Sequence, residues 1–214
     1  MRMRKKKNGE KRMLACADYK IDVPQDYKGA WKEKISCGKD LYLEIGCGKG
    51  TFITELAKRN PDNFYVAIEV VPDVIMLAME KAKSQELKNV MFVCFDANDI
   101  CDVFEENELD GLYLNFSDPW PKTRHHKRRL TYIAFLEKYK KVIKNGGKIF
   151  FKTDNRPLFD FSLVQFNEAS IPLSQVCTDL HKSMWENGNI HTEYEDNFSA
   201  KGFTINRLVG TITK

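Results

Sequence analysis

The stretch Leu41-Tyr-Leu-Glu-Ile-Gly-Cys-Gly-Lys-Gly50 decides the fold of this chain. An apolar run leads to Glu44, glycines follow at every second position, and residues 52–57 show the apolar spacing of an amphipathic helix. Glycine is favoured where the backbone needs a positive φ or passes close to a ligand. A turn that opens a helix also presents free N–H groups and the positive end of the helix dipole. The stretch therefore predicts a strand, a tight turn with a ligand beside it, and a helix.

Two phosphate-binding motifs do not fit this turn. A P-loop requires Gly, four residues and then Gly-Lys-Ser/Thr, but here Gly48-Lys49 is followed by Gly50 and the upstream position is Leu43. A dinucleotide fingerprint requires Gly-x-Gly-x-x-Gly, and here the third glycine comes one residue early. The remaining pattern, Glu-x-Gly-x-Gly-x-Gly, resembles the first motif of the Rossmann-like methyltransferases that use S-adenosylmethionine. The alternative at this point is a structural glycine turn in another α/β protein.

The bulk properties indicate one globular α/β domain. A chain of 214 residues can bury roughly 70% of its unfolded surface, and no apolar run approaches the roughly 18 residues of a membrane span. The basic N-terminus is not followed by an apolar run, so we do not expect a secretory signal. The six cysteines show neither a Cys-x-x-Cys pair nor zinc spacing. We therefore expect reduced thiols, no metal and a cytoplasmic location, with a catalytic cysteine as the less favoured alternative.

Positive charge is concentrated in two places. The net charge is +4, residues 1–12 contain seven basic side chains against one acidic side chain, and residues 122–129 contain five basic side chains. The remainder of the chain is acidic. Such clustering indicates an anionic polymer as partner. A disordered, solubilising tail is the alternative explanation for the first cluster alone.

Apolar runs and amphipathic patterns alternate along the chain. They predict a doubly wound, mostly parallel seven-stranded sheet with an antiparallel C-terminal edge pair and helices on both faces. We divide the chain into a basic N-terminal arm and lead-in, residues 1–39, and a Rossmann-like methyltransferase domain, residues 40–214. The arm itself is expected over residues 1–15. Strands are expected at residues 41–45, 64–68, 90–95, 112–116, 148–152, 176–180 and 202–213, and helices at 51–59, 72–84, 100–104, 131–144 and 158–169.

Acidic residues follow four of these strands. Ligands of open α/β sheets bind at the carboxyl ends of the strands, where the sequence has Glu44, Glu69, Asp96 and Asp118. A single Asp in such a place is more often a helix N-cap, but four beside a glycine turn favour a cofactor site. Glu69 is placed to accept bonds from ribose hydroxyls. We expect Asp96, with Asn98 beside it, to accept from an adenine amino group, and Glu44 to hold the ammonium of S-adenosylmethionine.

The loop after the fourth strand, Ser117-Asp-Pro-Trp-Pro-Lys122, combines an acid, an aromatic ring and two prolines that stiffen the backbone. A dense basic run, Arg124–Arg129, follows it directly. An aromatic side chain beside basic residues is typical of a nucleic-acid surface. The alternative is a salt-bridged surface loop.

Four segments together resemble the bacterial tRNA (guanine-N7-)-methyltransferase family. The run from Ser117 to Arg129 is the most specific, whereas the glycine motif alone would fit any Rossmann-like methyltransferase. The resemblance extends from about Tyr42 to Arg207, and residues 1–40 match only loosely, as a basic arm. The remaining segments are Glu44–Gly50, Thr153–Asn155 and Thr192–Glu195.

The resemblance implies methyl transfer from S-adenosylmethionine to N7 of a variable-loop guanosine in tRNA. It implies Asp118 as the catalytic acidic residue and tRNA as the partner. We also expect a monomer or homodimer without an obligate protein partner and without membrane attachment. The implied cofactor residues are Glu44, Gly46, Gly48, Gly50, Glu69, Asp96, Asn98 and Asp118. The implied substrate residues are Lys122, Asp154, Thr192, Glu193, Tyr194 and Glu195. The implied RNA contacts are Arg124, His125, His126, Lys127, Arg128 and Arg129, although His125 and His126 could instead be ordinary solvated loop residues.

Two other functions remain open from the sequence. A methyltransferase of the same fold could act on DNA, protein or a small molecule, although the Trp-Pro-Lys continuation and the basic run argue against this. A non-enzymatic RNA-binding module would explain the basic clusters but not the acidic strand ends. Binding of S-adenosylmethionine separates this module from either enzyme.

Overall fold

A seven-stranded sheet forms the centre of the computed structural model, which describes residues 8–214. The predicted basic arm lies outside the described residues over positions 1–7. The strand order is β3-β2-β1-β4-β5-β7-β6, with β1 to β5 parallel and β7 antiparallel to both of its neighbours. This confirms the predicted fold class. The strands are β1 (Asp40–Ile45), β2 (Asn63–Ile68), β3 (Val90–Val93), β4 (Leu109–Asn115), β5 (Ile143–Thr153), β6 (Leu173–Cys177) and β7 (Asn206–Thr211).

Helices connect the parallel strands on both faces of this sheet. Two of them begin with recognisable signals: α4 has Pro72 in its first turn, and the Asn155 side chain caps α7 by accepting from the Leu158 N–H at 2.8 Å. The α-helices are α1 (Gly9–Ala15), α2 (Trp31–Lys34), α3 (Thr51–Arg59), α4 (Pro72–Ser84), α5 (Ile100–Val103), α6 (Ile133–Val142), α7 (Arg156–Glu168) and α8 (Glu193–Ser199).

The C-terminal half of the predicted arm is a helix. Helix α1 packs beside α4, where the Arg12 guanidinium makes two hydrogen bonds of 2.7 and 2.6 Å to the Glu80 carboxylate. The expectation of an arm through residue 15 is therefore wrong for residues 9–15. A charge count finds basic residues but does not show that one of them has a carboxylate partner far along the chain.

Strand β5 also differs from its prediction at residues 148–152, because it begins at Ile143 and includes the run Asn145-Gly146-Gly147. Its pairing with β4 shifts register at this point. A Cβ on Gly147 would lie 2.4 Å from the Ile143 Cγ2 atom. The glycines therefore form a bulge at the start of the strand and do not separate it from α6.

Strand β1, which leads into the glycine turn, lies in the interior of the sheet and of the hydrophobic core. Leu41 and Leu43 of β1 are fully buried, as expected of a strand covered on both faces. The lead-in also contributes to this core, since Trp31 is fully buried and its indole N–H donates to the Val103 carbonyl at 2.9 Å.

The strand order reverses between β1 and β4, and ligands of this fold class bind at such a switch point. Among residues 8–214, no helix has both the length and the apolar character to cross a membrane.

Candidate active site

The three glycines of the turn after β1 serve two purposes. All have positive φ, with values of 77° at Gly46, 56° at Gly48 and 78° at Gly50, which a side chain would disfavour. A Cβ on Gly50 would lie 2.6 Å from the Cβ of Ala78, so this glycine lets α4 pack against the turn. A Cβ on either of the other two would meet nothing within 4 Å. Gly46 and Gly48 therefore leave open space in front of the turn.

Two clefts meet at the carboxyl ends of β1 and β4. The first, of about 350 Å³, lies between the glycine turn and the segment that begins α8. The second, of about 310 Å³, extends toward the ends of β2 and β3 and the Asp118 loop. Gly46, Asn115 and Phe116 line both clefts, so the two are adjoining parts of one site. This brings together Glu44, Glu69, Asp96 and Asp118, the four acids that the sequence places at strand ends.

Glu44 is a buried carboxyl group with one unsatisfied oxygen. It is 2% exposed, Oε1 accepts from the Asn115 Nδ2 atom at 2.9 Å, and Oε2 has no partner among the described residues. Burial raises the pKa of Glu44 to about 7, against the lowering effects of the Asn115 hydrogen bond and of Lys152. A buried carboxylate oxygen without a partner is costly. Its position at the first cleft therefore fits a cationic ligand group.

Glu69 and Asp96 stabilise local backbone as well as facing the second cleft. The Glu69 carboxylate accepts from the Gly48 N–H at 3.2 Å and from the Val71 N–H at 3.1 Å, so it supports the glycine turn. Asp96 Oδ1 accepts from the backbone N–H and the side-chain amide of Asn98, both at 2.9 Å. Asp96 is thus an N-cap, the ordinary role of an acid at this place. Its exposed carboxylate still borders the cleft.

The Asp118 loop has an unusual backbone. Phe116 and Trp120 both have positive φ, 53° and 41°, although neither is glycine. Positive φ in bulky residues is uncommon and concentrates at functional sites. Asp118 is exposed at the second cleft, between these two aromatic residues in sequence. The loop therefore presents a solvent-accessible carboxylate beside the cofactor-sized space.

The predicted RNA contacts separate into exposed and buried groups. Arg129 is 6% exposed, donates to the carbonyls of Pro119 at 2.8 Å and Trp120 at 3.2 Å, and has its Cζ 4.3 Å from the Phe161 ring centroid. It therefore holds the Asp118 loop in place, and the structure does not support it as a direct RNA contact. Arg128 lies over the Trp120 ring at 4.9 Å. The other four, at least partly accessible, are Arg124, His125, His126 and Lys127, on a 3-10 segment (Thr123–Arg128).

The predicted substrate residues also divide into two groups. Tyr194 is 42% exposed and stacks on Phe198 with centroids 4.0 Å apart. Its ring centroid also lies 5.1 Å from that of Phe116, which lines both clefts. Burial raises the pKa of Tyr194, as do Asp154 and, less strongly, Asp118. Lys122 is exposed on the Asp118 loop. The structure therefore brings these side chains to the same edge of the sheet.

Thr192, Glu193 and Glu195 make contacts within the protein. The Thr192 hydroxyl caps α8 by accepting from the Glu195 N–H at 2.9 Å. Glu195 is fully buried and its carboxylate accepts from Lys152 Nζ at 2.7 Å, with His181 Nε2 at 3.0 Å and Asn189 Nδ2 at 2.8 Å. Glu193 is bonded to the glycine turn. These contacts favour a role for Glu195 in holding α8 over the site rather than in touching a base.

Sequence reasoning missed two polar residues that support the site. Asn115 is the last residue of β4 and bonds to Glu44 on the neighbouring strand. Lys152, near the end of β5, is buried and bonds to Glu195 from the opposite side of the same region. A polar residue near the carboxyl end of a predicted buried strand was the available signal in each case.

One side-chain group among the described residues has spacing that could hold a metal ion. The ligand atoms of His181, His191 and Glu195 all lie within 4.8 Å of one another. Both nitrogens of His191 already face carboxylates, those of Asp196 and Glu186, each at 2.7 Å. Glu195 is bonded to the ammonium of Lys152. These side chains therefore satisfy one another without an ion.

Sequence comparisons identify close relatives. The model of a family described as "Putative methyltransferase" matches residues 39–208. The tRNA (guanine-N(7)-)-methyltransferase of Bacillus subtilis (strain 168) is 49% identical over 207 residues, which cover 97% of each chain. The enzyme of the same name from Geobacillus sp. (strain WCH70) is 47% identical over 207 residues, covering 97% of this chain and 94% of the relative.

Solved structures support the same fold. The 16S rRNA methyltransferase KamB aligns with a TM-score of 0.66 at 16% identity, covering 87% of this chain and 94% of that chain. A SAM-dependent methyltransferase from Aquifex aeolicus aligns with a TM-score of 0.57 at 18% identity, covering 97% of this chain and all of that chain (100%). At these identities the likeness shows a common fold and does not extend to substrates.

Proposed function

Since this chain belongs to the tRNA (guanine-N(7)-)-methyltransferase family, we propose that it transfers the methyl group of S-adenosylmethionine to N7 of a guanine in tRNA. One observation carries the proposal: a buried, half-satisfied carboxyl and an open glycine turn adjoin an exposed Asp118 and a basic surface. The carboxyl and the glycine turn fit a small cationic cofactor. Asp118 and the basic surface fit a base and the phosphates of an RNA. Their juxtaposition favours an RNA methyltransferase over an RNA-binding module.

The residues present fit S-adenosylmethionine, which when bound supplies an electrophilic methyl group on a sulfonium. The unpaired Glu44 Oε2 would hold its ammonium. Gly46 and Gly48 leave room beside the turn for the amino-acid part. Glu69 and Asp96 border the second cleft, where they would hold the ribose and the adenine. Gly50 and Asn98 act indirectly, through α4 packing and through the Asp96 cap.

The chemistry at guanine requires no strong general base. N7 has an in-plane lone pair and no proton, so no proton needs to be removed before attack on the methyl carbon. Catalysis is then mainly positioning and electrostatic stabilisation. The methylated base is cationic, and the exposed carboxylate of Asp118 would stabilise this charge as it develops and hold the base edge. We therefore assign Asp118 as the catalytic acidic residue.

The surface around Asp118 supports the RNA part of the proposal. Lys122 and the exposed part of the basic run would contact phosphates. Arg129 would hold the Asp118 loop in place through its hydrogen bond to the Pro119 carbonyl. Tyr194 and Asp154 face the same edge and would contact the target nucleotide. The role of Glu195 would be indirect, through α8. The exposed or partly exposed side chains proposed to contact RNA are Arg124, His125, His126, Lys127 and Arg128.

Methyl transfer to unmodified bulk tRNA tests this proposal. The enzyme is incubated with labelled S-adenosylmethionine, and the tRNA is then digested to nucleosides and separated. We expect 7-methylguanosine as the labelled product. A different methylated nucleoside would overturn the assigned base atom, and cofactor binding without transfer to RNA would recast the basic run as a docking surface.

We also propose a cytoplasmic monomer or homodimer without an obligate protein partner. The basis is the sequence: six cysteines without metal or disulfide spacing, and no additional motif that would indicate a partner. Sedimentation of the purified protein with and without tRNA would measure the assembly state. An activity that requires a second protein would contradict the proposal.

A further inference from the structure

The beginning of α8 is tied to the glycine turn by four side chains, Lys49, Thr51, Lys81 and Glu193, which we call the Glu193 latch. The Lys49 ammonium lies 2.9 Å from Glu193 Oε2, and the Thr51 hydroxyl donates to Oε1 at 3.0 Å. The Lys81 ammonium lies 3.4 Å from Oε1 and also bonds to the Thr51 hydroxyl. The Lys49 hydrogen bond, followed by that of Thr51 and the charge of Lys81, lowers the pKa of Glu193 to about 2. The carboxylate is therefore ionised throughout the neutral range.

The latch connects the two walls of the first cleft. One wall is the glycine turn, with Gly46 and Gly48, and the other is the start of α8, with Tyr194 and Asn197. Among side-chain hydrogen bonds of the described residues, those of Glu193 alone join α8 to the turn or to α3. Breaking them would remove the direct polar connection across the mouth of this cleft.

The exposure of the latch makes it easy to open. The side chains of Lys49 and Glu193 are 53% and 45% exposed, and exposed ion pairs are individually weak. Salt weakens such pairs further. A weak, reversible connection suits a cleft that must admit and release a ligand in every turnover. A buried pair such as Lys152 with Glu195, by contrast, is suited to a permanent contact.

We propose that Glu193 is a positioning residue that closes α8 over the amino-acid half of the cofactor cleft, and so controls how long the cofactor is retained. The resemblance to the family implies contact with the substrate nucleotide for this position, but two of its donors, Lys49 and Thr51, line the first cleft with the glycine turn. The identity of the retained ligand rests on the proposed function. The closure itself rests on the geometry of the latch.

The test compares Glu193→Gln, Lys49→Met and the double variant with the parent protein. Glutamine can still accept from Thr51, so the first variant removes mainly the ion pairs. We expect S-adenosylhomocysteine to dissociate roughly threefold faster from Lys49→Met, which loses one exposed ion pair, and roughly fivefold faster from Glu193→Gln, which loses the pairs with Lys49 and Lys81. The double variant should behave like Glu193→Gln, because the carboxylate partner of Lys49 is already absent there. Glu55→Gln is the matched control, since it breaks a surface pair with Arg59 on α3 that does not cross the cleft.

Hydrogen exchange supplies a readout that does not depend on the ligand. Amides of residues 192–199 should exchange faster in ligand-free Glu193→Gln than in the parent or the Glu55→Gln control. The parent's dissociation rate should also rise with ionic strength, and that of Glu193→Gln should not. Unchanged exchange together with a parent-like dissociation rate would overturn the proposal, as would additive effects in the double variant. If the parent bound no S-adenosylhomocysteine, the proposed function would fail, while the exchange comparison would still test the closure.

Discussion

Replacing Glu44 by glutamine should stabilise the ligand-free protein while weakening its cofactor binding. Glu44 is buried at the end of β1, and burial is the largest cause of its pKa near 7, compared with an ordinary value of 4.5. The change Glu44→Gln removes the charge and keeps both the shape and an oxygen that accepts from Asn115. The variant therefore isolates the free energy of ionising a buried carboxyl group.

The magnitude follows from proton linkage. Between the unfolded pKa of 4.5 and the folded pKa of about 7, the native chain keeps a proton that the unfolded chain releases. The free energy of unfolding of the parent therefore falls by about 1.4 kcal/mol per pH unit across this window, or about 3 kcal/mol in all. The stabilising contribution of the protonated Glu44 side chain to the free energy of unfolding is fully present below the unfolded pKa of 4.5. It is lost as the pH rises through the folded pKa of about 7. The glutamine side chain does not titrate. The free energy of unfolding of Glu44→Gln, relative to that of the parent, should therefore increase by the same amount between these two pH values and stay constant above them.

Urea unfolding followed by circular dichroism, at about pH 5, 6, 7 and 8, measures this difference. A change of about 3 kcal/mol corresponds to a shift of roughly 6–12 °C in Tm for a chain of this size. The control is Glu55→Gln, whose carboxylate is in a surface pair and should show no such trend. If the difference in stability between Glu44→Gln and the parent did not vary with pH, the pKa of Glu44 would not be raised by burial in the folded chain. The variant should also lose affinity for S-adenosylmethionine, because the carboxylate that would bind the cofactor's ammonium has been removed.

Four further predictions concern residues in and around the site. Arg129→Ala should lower the free energy of unfolding by about 3 kcal/mol, because two charge-assisted hydrogen bonds to the Asp118 loop are lost. Lys127→Ala should leave stability unchanged but reduce the salt slope of tRNA binding by about 1, as filter binding at several salt concentrations would show. Gly50→Ala should destabilise by about 3 kcal/mol through positive φ and a clash with α4, whereas Gly146→Ala, with open space, should cost about 1 kcal/mol in the same denaturation assay. Glu195→Ala should cost about 4 kcal/mol, because it leaves a buried ammonium unpaired; retention of parent Tm would contradict this.

The sequence was sufficient for the fold because local signals agreed with it. Alternating apolar runs and amphipathic segments gave the strand and helix order, and the glycine spacing located the site. The strand-end rule placed Glu44, Glu69, Asp96 and Asp118 together, and the structure brings them to two adjoining clefts. These features depend on short-range patterns and on a general property of parallel sheets.

The sequence was insufficient where a residue's role depends on distant partners. Arg129 looks like its neighbours in the basic run, but its guanidinium is buried against the Asp118 loop. Arg12 belongs to a basic segment, yet it pairs with Glu80 on α4. Glu193 and Glu195 lie two residues apart on α8. Glu193 is half-exposed and pairs with Lys49 of the glycine turn, whereas Glu195 is fully buried and pairs with Lys152. Composition and spacing cannot distinguish such cases, because each is decided by contacts between elements far apart in the chain.

Single-turnover methyl transfer to unmodified tRNA, measured with the parent and with Asp118→Asn at saturating enzyme, would show whether the Asp118 carboxylate takes part in the reaction. We expect the variant to bind S-adenosylmethionine and tRNA but to form 7-methylguanosine about 100-fold more slowly, because one group that stabilises the developing charge is lost. The exposed Asp160→Asn, which removes a surface pair with Arg156, is the control and should react at the parent rate. A parent-like rate for Asp118→Asn, with both ligands bound, would contradict the claim that this carboxylate is part of the chemistry.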